Sequence, residues 1–413
     1  MTASPHQAKG KNPVLKTRQP TSPPSTRSRA ALHLTAAASE GRLELQQCRA
    51  CGSFQYPPAE ACANCLSTRL EWTECKGGGD LISETVLRHS NENYFRERLP
   101  LRVGLVRLDI GVNVVCHIQR DCPEAPARIC LHAHLDKSGQ AALIAHPEGT
   151  AIMSNDEVLD EMVSDPRGRK VLVTDGKSTT GQALVRAMLD AGAEMVWAGV
   201  SEPWKRTSSL DKLAEIANVA VVPLDLSDAR SVQELSALIG AKVDILVNNA
   251  EFHRAKPVGA RGVETARAEM DVNYFGLLRL AEAFGPALKF RAADGPNGAT
   301  AWVNILSIYA LSALPSQATF TASKAAAFAA SQALRAEMQQ AGIRVVNVFP
   351  GPIDDEWNQI VPPPKLAPTA LANAVVAALQ AGVEDVYPGD IAQDILARWR
   401  DSAKVLEREL ADQ

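Results

Sequence analysis

Four cysteines in two pairs, Cys48-x-x-Cys51 and, ten residues on, Cys62-x-x-Cys65, are the side chains of this sequence best spaced for chemistry. Two such knuckles place four thiolates tetrahedrally around one ion, and that donor set suits zinc. Metal binding requires deprotonated sulfur. The bound ion then supplies folding energy to a segment too short to bury a core of its own. All four ligand positions are protein sulfur, so the expected site is closed, and its zinc structural and not catalytic. Cys75, Cys116, Cys122 and Cys130 lack this pairing and read as ordinary buried or partly buried thiols. All eight cysteines fall between Cys48 and Cys130, which indicates one local device and not disulfides spread over a secreted chain.

The elements that must hold these residues fall into two textures. After the cysteines and a Gly77-Gly78-Gly79 turn come five strand-like stretches: Leu81–His89, Leu101–Leu108, Asn113–Gln119, Arg128–Leu135 and Ala141–Ala145. Turn residues separate them, and five short strands suggest a small barrel. Ala30–Gln47 reads as a helix leading into the cysteines. From Lys170 onward, apolar strands at Val171–Val173, Glu194–Ala198, Ala220–Leu224, Ile245–Val247, Trp302–Leu306 and Val345–Phe349 alternate with helices at Gly181–Ala191, near Leu210–Ala217 and at Thr321–Ala341. Near-continuous apolar strands alternating with helices predict a doubly wound parallel sheet. The expected organisation is a tail over 1–29, a zinc ribbon and five-stranded barrel over 30–147, a polar linker over 148–168 and an α/β domain over 169–413.

Composition agrees with two domains. The chain has 413 residues, too many for one ordinary core. A net charge of −4 gives no global field for nucleic acid or an acidic membrane surface. No apolar run reaches membrane-spanning length, so a cytoplasmic protein without a membrane partner is expected. The first acidic residue is Glu40, and the basic, Pro- and Ser-rich segment before it reads as a solvated tail. Its Arg- and Ser-rich character also resembles an organelle transit peptide, but no amphipathic apolar face accompanies the charges.

With these residues in view, two family resemblances become specific. Gly41-Arg42-Leu43, Gln46-Gln47-Cys48-Arg49-Ala50-Cys51-Gly52, Tyr56-Pro57-Pro58, Cys62-x-x-Cys65, Lys76-Gly77-Gly78-Gly79-Asp80-Leu81 and Leu105–Gly111 resemble the rubredoxin-type zinc ribbon joined to an OB-fold of the acyl-CoA-associated, thiolase-partner family. The resemblance covers about Ala30–Pro147. It implies a non-catalytic module that binds a CoA thioester or docks a thiolase-type enzyme. OB-folds also bind single-stranded nucleic acid, with Tyr94-Phe95-Arg96-Glu97-Arg98 as the candidate patch here. That reading ranks last, because most of the rings do not alternate along strands.

Lys170–Pro388 resembles the short-chain dehydrogenase/reductase superfamily. The family's glycine motif becomes Thr174-Asp175-Gly176-Lys177-Ser178-Thr179-Thr180-Gly181. Only Gly181 keeps its place, although Gly176 is positioned to shift the turn. Glycine lets backbone approach a pyrophosphate at a helix amino terminus. Asp175 adds a carboxylate there and Thr179 a branched side chain, so NAD(P) binding is expected to be weak or absent. The resemblance assigns vestigial cofactor contacts to Thr174, Gly176, Gly181, Asp225, Asn249 and Lys324. Glu251 replaces the glycine of the Asn-Asn-Ala-Gly motif. Near Gly199 and Val200 no acid stands to hold a ribose diol; Lys205 and Arg206 come slightly later and suit a 2′-phosphate, so NAD and NADP both stay open.

Asn273, Ser307 and Lys324 match the family's catalytic Asn, Ser and Lys. Phe320 occupies the place of the tyrosine whose hydroxyl exchanges the proton. Phenylalanine has no such proton, and a positioned acid or base is typically worth about 10²–10⁴ in rate. Tyr309 is the conceivable substitute, although its direction from the strand is expected to differ. Asp355 falls where a Thr commonly meets the carboxamide. Each survivor also has a plain structural reading: Asn273 bridging backbone, Ser307 a loop hydroxyl, Lys324 a solvated helix lysine. The expected function is therefore a non-catalytic or weakly catalytic accessory subunit, self-associating through its degenerate dehydrogenase domain. The rival is an NAD(P)-dependent reductase of 3-oxoacyl or 3-hydroxyacyl CoA.

Overall fold

The computed structural model describes residues 21–149, 160–205, 207–254, 257–259, 262–293, 298–359 and 361–411. Most of the tail, residues 150–159 of the linker and Arg206 lie outside the described residues. Thr21 donates a hydrogen bond to Glu97 (2.7 Å).

The amino-terminal elements are α1 (Leu32–Ser39), β1 (Glu44–Cys48), β2 (Phe54–Gln55) and β3 (Leu70–Glu74). The single helix expected over Ala30–Gln47 stops at Ser39. Gly41, at φ +76°, takes the left-handed turn. Glu44–Cys48 then pairs antiparallel with both β2 and β3. Buried amides favour this ribbon over a helix: Gln55 Nε2 donates to Gln46 Oε1 (2.9 Å), which also accepts from Ala59 N (2.8 Å).

The five expected strands form a closed barrel of β4 (Gly78–Leu87), β5 (Leu101–Leu108), β6 (Asn113–Ile118), β7 (Ala127–Leu135) and β8 (Ala141–Pro147), in the order β4-β5-β6-β8-β7. Leu81, Val106, Val114, Ile129 and Leu131 fill it.

The α/β domain has seven strands: β9 (Lys170–Val173), β10 (Met195–Val200), β11 (Val219–Pro223), β12 (Ile245–Asn248), β13 (Ala301–Ile305), β14 (Arg344–Val348) and β15 (Asp385–Val386). They run in the order β11-β10-β9-β12-β13-β14-β15, all pairings parallel. Successive side chains feed opposite faces. Leu172, Trp197, Leu246, Trp302 and Val345 enter one core, whereas Val171, Val196, Ile245, Ala301 and Val346 enter the other. The helix Thr179–Asp190 follows β9, and the alanine-rich helix spans Ala318–Gln339.

A buried arginine on β14 is the central fastening of the barrel to the sheet. Arg344 of β14 donates to Leu135 O of β7 (3.0 Å) and to Met162 O (2.8 Å). Glu384 N donates to Ser39 O (2.8 Å), and Gln339 bonds Ser138 O. Close approach is enforced at Gly382, where a Cβ would come within 2.7 Å of Met162 O.

Near this seam the barrel buries a histidine pair. His146 Nδ1 donates to Gln119 Oε1 (2.6 Å), so His146 Nε2 is bare and accepts from His134 Nε2 (3.2 Å). Both rings are neutral, and burial holds them down to about 4 for His134 and about 3 for His146. Both values lie below the unfolded value, so the unfolded chain binds more protons in acid. The pair's contribution is complete above about pH 6.5 and is lost as pH falls toward 4. We predict that the stability of wild type relative to His134→Gln and His146→Asn, read from urea midpoints, falls over this window. The fall should reach at most about 1.4 kcal/mol per pH unit for each proton taken up. A pH-independent difference would refute the assignment.

Candidate functional site

The four knuckle cysteines meet as the spacing requires. Their sulfurs lie within 4.8 Å of one another. Cys48 and Cys65 are 3.6 Å apart, and Cys51 and Cys62 are 3.7 Å apart. A tetrahedron with Zn–S bonds of about 2.3 Å puts sulfurs about 3.8 Å from each other, so the set fits zinc without rearrangement. Each knuckle turns the same way. Ala50 N donates to Cys48 Sγ and Asn64 N to Cys62 Sγ, both at 3.4 Å. Gly52 and Leu66, the residues just after each pair, both have φ in the left-handed region. Leu66 tolerates that strained angle outside glycine's usual role. Ser53 Oγ, 2.9 Å from Cys51 Sγ, supports its thiolate. Cys62→Ser should release the one zinc expected per chain, measured by elemental analysis. It should also loosen the ribbon while the α/β domain keeps its unfolding transition. Freshly purified protein without zinc would refute the site.

The second site is the crevice at the carboxyl ends of β9, β12 and β13. Thr174 and Asn249, expected as cofactor contacts, knit its loops together. Thr174 Oγ1 accepts from Asn249 N (2.9 Å) and Ala250 N (2.8 Å). Asn249 Nδ2 donates to Thr174 O (3.2 Å) and Ser178 Oγ (3.2 Å). The two glycines are required by packing: a Cβ on Gly181 would sit 2.1 Å from Asp175 O, and one on Gly176 would sit 2.7 Å from Ala198 Cβ. Gly176 N is tied to Gly199 O (2.9 Å), so it anchors the turn to β10. Asp225 turns its carboxylate on its own loop, accepting from Ser227 N (2.9 Å). Lys205 pairs with Glu202 (2.6 Å).

Carboxylates gather where a pyrophosphate would lie. Asp175 adopts φ +47°. Thr179 N, at the amino terminus of its helix, faces both carboxylate oxygens of Glu356 (3.4 and 3.3 Å). Thr180 Oγ1 is 3.5 Å from Asp355 Oδ2. Burial, reinforced by neighbouring carboxylates, pushes Asp175 and Asp355 up to about 6 each. This array favours cations and opposes phosphate.

The residues expected as a catalytic set make close internal contacts. Lys324, expected as a solvated lysine in its plain reading, is 2% exposed. Its Nζ pairs with Glu251 Oε2 (2.8 Å) and donates to Ile305 O (3.1 Å). Asn273 sits in a π-helical turn over Asp271–Phe275. It accepts from Phe252 N (2.9 Å) and donates to Phe252 O (3.0 Å) and Ser323 Oγ (2.8 Å), the backbone bridging expected of a structural Asn. Ser307 Oγ accepts from Tyr309 N (3.3 Å). Ser307, Tyr309 and Phe320 line one cleft with Glu251, His253 and Asn358. The expectation that Tyr309 points elsewhere is therefore corrected: a 3-10 turn at Ile308–Ala310 brings it to the cleft wall. His253 and Glu356 went unnoticed in the sequence, because neither belongs to a periodic or spaced motif.

These charges predict a pH-dependent cofactor affinity. Both raised aspartates are ionised at pH 7.5 and protonated at pH 5, so any NADPH binding should tighten as pH falls between them. Glu356→Gln should reproduce part of that gain at pH 7.5, on the order of tenfold in Kd by calorimetric titration. Equal affinity at both pH values and in the variant would refute the electrostatic account.

Comparison with known proteins agrees with this architecture. Residues 169–363 match the short chain dehydrogenase model, 35–71 the ChsH2 rubredoxin-like zinc ribbon domain and 72–132 the ChsH2 C-terminal OB-fold domain. A short chain dehydrogenase from Burkholderia cenocepacia, solved in complex with NADP, is 38% identical. The match covers 60% of this chain and 98% of that one, with a TM-score of 0.54. The Danio rerio dehydrogenase/reductase SDR family member 7C-B is 33% identical over 192 residues, 44% of this chain and 58% of that protein. The probable oxidoreductase EphD of Mycobacterium tuberculosis is 29% identical over 241 residues, 39% of its length. The chain thus spans little more than half of the first relative and less of the second. No helix among the described residues is long and apolar enough to cross a membrane. From residue 169 the chain belongs to the short-chain dehydrogenase family, fused behind a ChsH2-type zinc ribbon and OB-fold.

Proposed function

We propose that this chain is a non-catalytic or weakly catalytic accessory subunit of acyl-CoA metabolism. Its ribbon and barrel bind a CoA thioester or a thiolase-type enzyme, and its dehydrogenase-like domain supplies self-association and docking. The observation that carries the reading is the buried pair of Lys324 with Glu251 (2.8 Å) beside Phe320. The resemblance gives that lysine two tasks, lowering the tyrosine's pKa and orienting a ribose. Here there is no tyrosine to act on, and a carboxylate already holds the ammonium. Asp175, Asp355 and Glu356 make the adjoining cradle hostile to phosphate. The match of the first module to ChsH2 domains supports the acyl-CoA assignment.

The oxidoreductase reading has one specific support, the 38% identity to a protein solved with NADP. Calorimetric titration with NADH and NADPH, with reduction of a short 3-oxoacyl thioester, separates the two. The accessory reading expects neither tight binding nor turnover, and little restored activity in Phe320→Tyr alone. It also expects co-elution with a thiolase encoded nearby, or binding of a CoA thioester. Micromolar cofactor binding with clear turnover would overturn it.

A further inference from the structure

The four zinc-binding cysteines are not equally protected. Cys48 and Cys62 are each 1% exposed, whereas Cys51 and Cys65 lie open to solvent. Each open sulfur has a buried sulfur of the other knuckle beside it. Cys51 is 3.7 Å from Cys62, and Cys65 is 3.6 Å from Cys48. The first of these pairs also shares a hydroxyl: Ser53 Oγ is 2.9 Å from Cys51 Sγ and 3.5 Å from Cys62 Sγ.

The backbone around Cys62 is held without help from the metal. Gln46 and Gln55 are buried and face each other across β1 and β2. Gln46 Oε1 accepts from Ala59 N (2.8 Å), and its Nε2 donates to Ala59 O (3.1 Å). Gln55 Oε1 accepts from Ala63 N (2.9 Å), and its Nε2 donates to Ala61 O (3.3 Å). Ala61 and Ala63 flank Cys62, so one buried amide brackets that cysteine. These bonds involve neither sulfur nor metal, and they keep Cys62 opposite Cys51 when the ion leaves.

We infer that Cys51 and Cys62 form a peroxide-reactive pair whose oxidation reversibly ejects the structural zinc. Zinc itself has no redox chemistry, so the thiolates carry it. The open Cys51 thiolate attacks one oxygen of hydrogen peroxide. An S–O bond forms as the O–O bond breaks, and hydroxide leaves. The Cys62 thiolate then attacks that sulfur. An S–S bond forms as the S–O bond breaks, and a second hydroxide leaves, with the Ser53 hydroxyl placed to donate to it. Two thiolates thus give up two electrons, and one peroxide becomes two hydroxides. The sulfurs need to close only from 3.7 Å to about 2.05 Å. Cys48 and Cys65 are then the two ligands left where a structural zinc site uses four, too few to retain the ion. A dithiol reductant restores both thiolates by exchange, and the Gln55 clamp holds Cys62 in place to rebind zinc. This chemistry does not depend on the acyl-CoA reading.

The test uses the full-length, zinc-loaded chain treated with hydrogen peroxide. Released zinc is followed with the chromogenic chelator 4-(2-pyridylazo)resorcinol, and cysteine pairing by peptide mapping under non-reducing conditions. Peroxide should release the zinc together with formation of a Cys51–Cys62 disulfide, while Cys75, Cys116, Cys122 and Cys130 stay reduced. Dithiothreitol with added zinc should restore the metal content. Ser53→Ala should slow release several-fold. If that variant fails to fold, the wild-type mapping and the reversal decide the matter. Zinc retained under peroxide while Cys75 or Cys130 is oxidised would overturn the inference. So would a first disulfide between Cys48 and Cys65, release to the chelator at the same rate without peroxide, or oxidation that dithiothreitol does not reverse. No thiolase or CoA thioester enters the assay, so its outcome is independent of whether the chain binds either.

Discussion

An ammonium group taken out of water must find an anion, and the placing of one anion organises this crevice. Lys324 is buried on the helix Ala318–Gln339, and Glu251 pairs with it at 2.8 Å. Breaking such a pair by removing one partner is costly, since an uncompensated buried charge remains. Glu251 thus fixes the lysine. Its negative charge also spreads outward, helping to raise Asp175 and Asp355 toward neutrality. Backbone N–H groups at a helix amino terminus usually meet a pyrophosphate; here the Glu356 carboxylate faces that position.

The parts of this arrangement legible in the sequence are those written locally. The zinc set is fixed by the spacing of Cys48, Cys51, Cys62 and Cys65, because a knuckle is a single turn. The sheet is legible because each parallel strand is apolar on both faces, as in Val171-Leu172-Val173. Phe320 and Asp175 are visible as departures from a motif. Consequences that depend on distant neighbours are not legible. Glu356 lies 177 residues from the amide it faces, and no pattern in either segment announces the contact. The helix mistaken over Ala30–Gln47 fails for a related reason: Glu44–Cys48 becomes a strand through β2 and β3, while Gly41 ends the helix by a backbone angle.

The seam between the modules follows the same logic of buried charge. Arg344 is 9% exposed and directs one nitrogen to two carbonyls, Leu135 O and Met162 O, from segments outside its own sheet. Glu384 approaches its other terminal nitrogen at 3.8 Å. A hydrophobic seam tolerates sliding, whereas carbonyls aligned on one guanidinium define a single docking position. The barrel and the parallel sheet therefore meet at a fixed place, with the neutral pair His134 and His146 in the barrel close behind the seam.

Departures in the crevice also support one another physically. Phe320 removes a hydroxyl, and its bare ring becomes the surface on which His253 stacks. Glu251 replaces a glycine and supplies the counter-ion that lets Lys324 remain buried without a ribose to hold. Asn273 is engaged through its amide with the Phe252 backbone and Ser323, one residue from His253. Restoring a tyrosine hydroxyl at 320 would place a polar group against the stacked imidazole while the lysine stayed neutralised by Glu251. On the accessory reading proposed above, the crevice is a second stable arrangement of the same scaffold. In that arrangement a stacked imidazole and a buried Lys324–Glu251 pair stand beside Phe320.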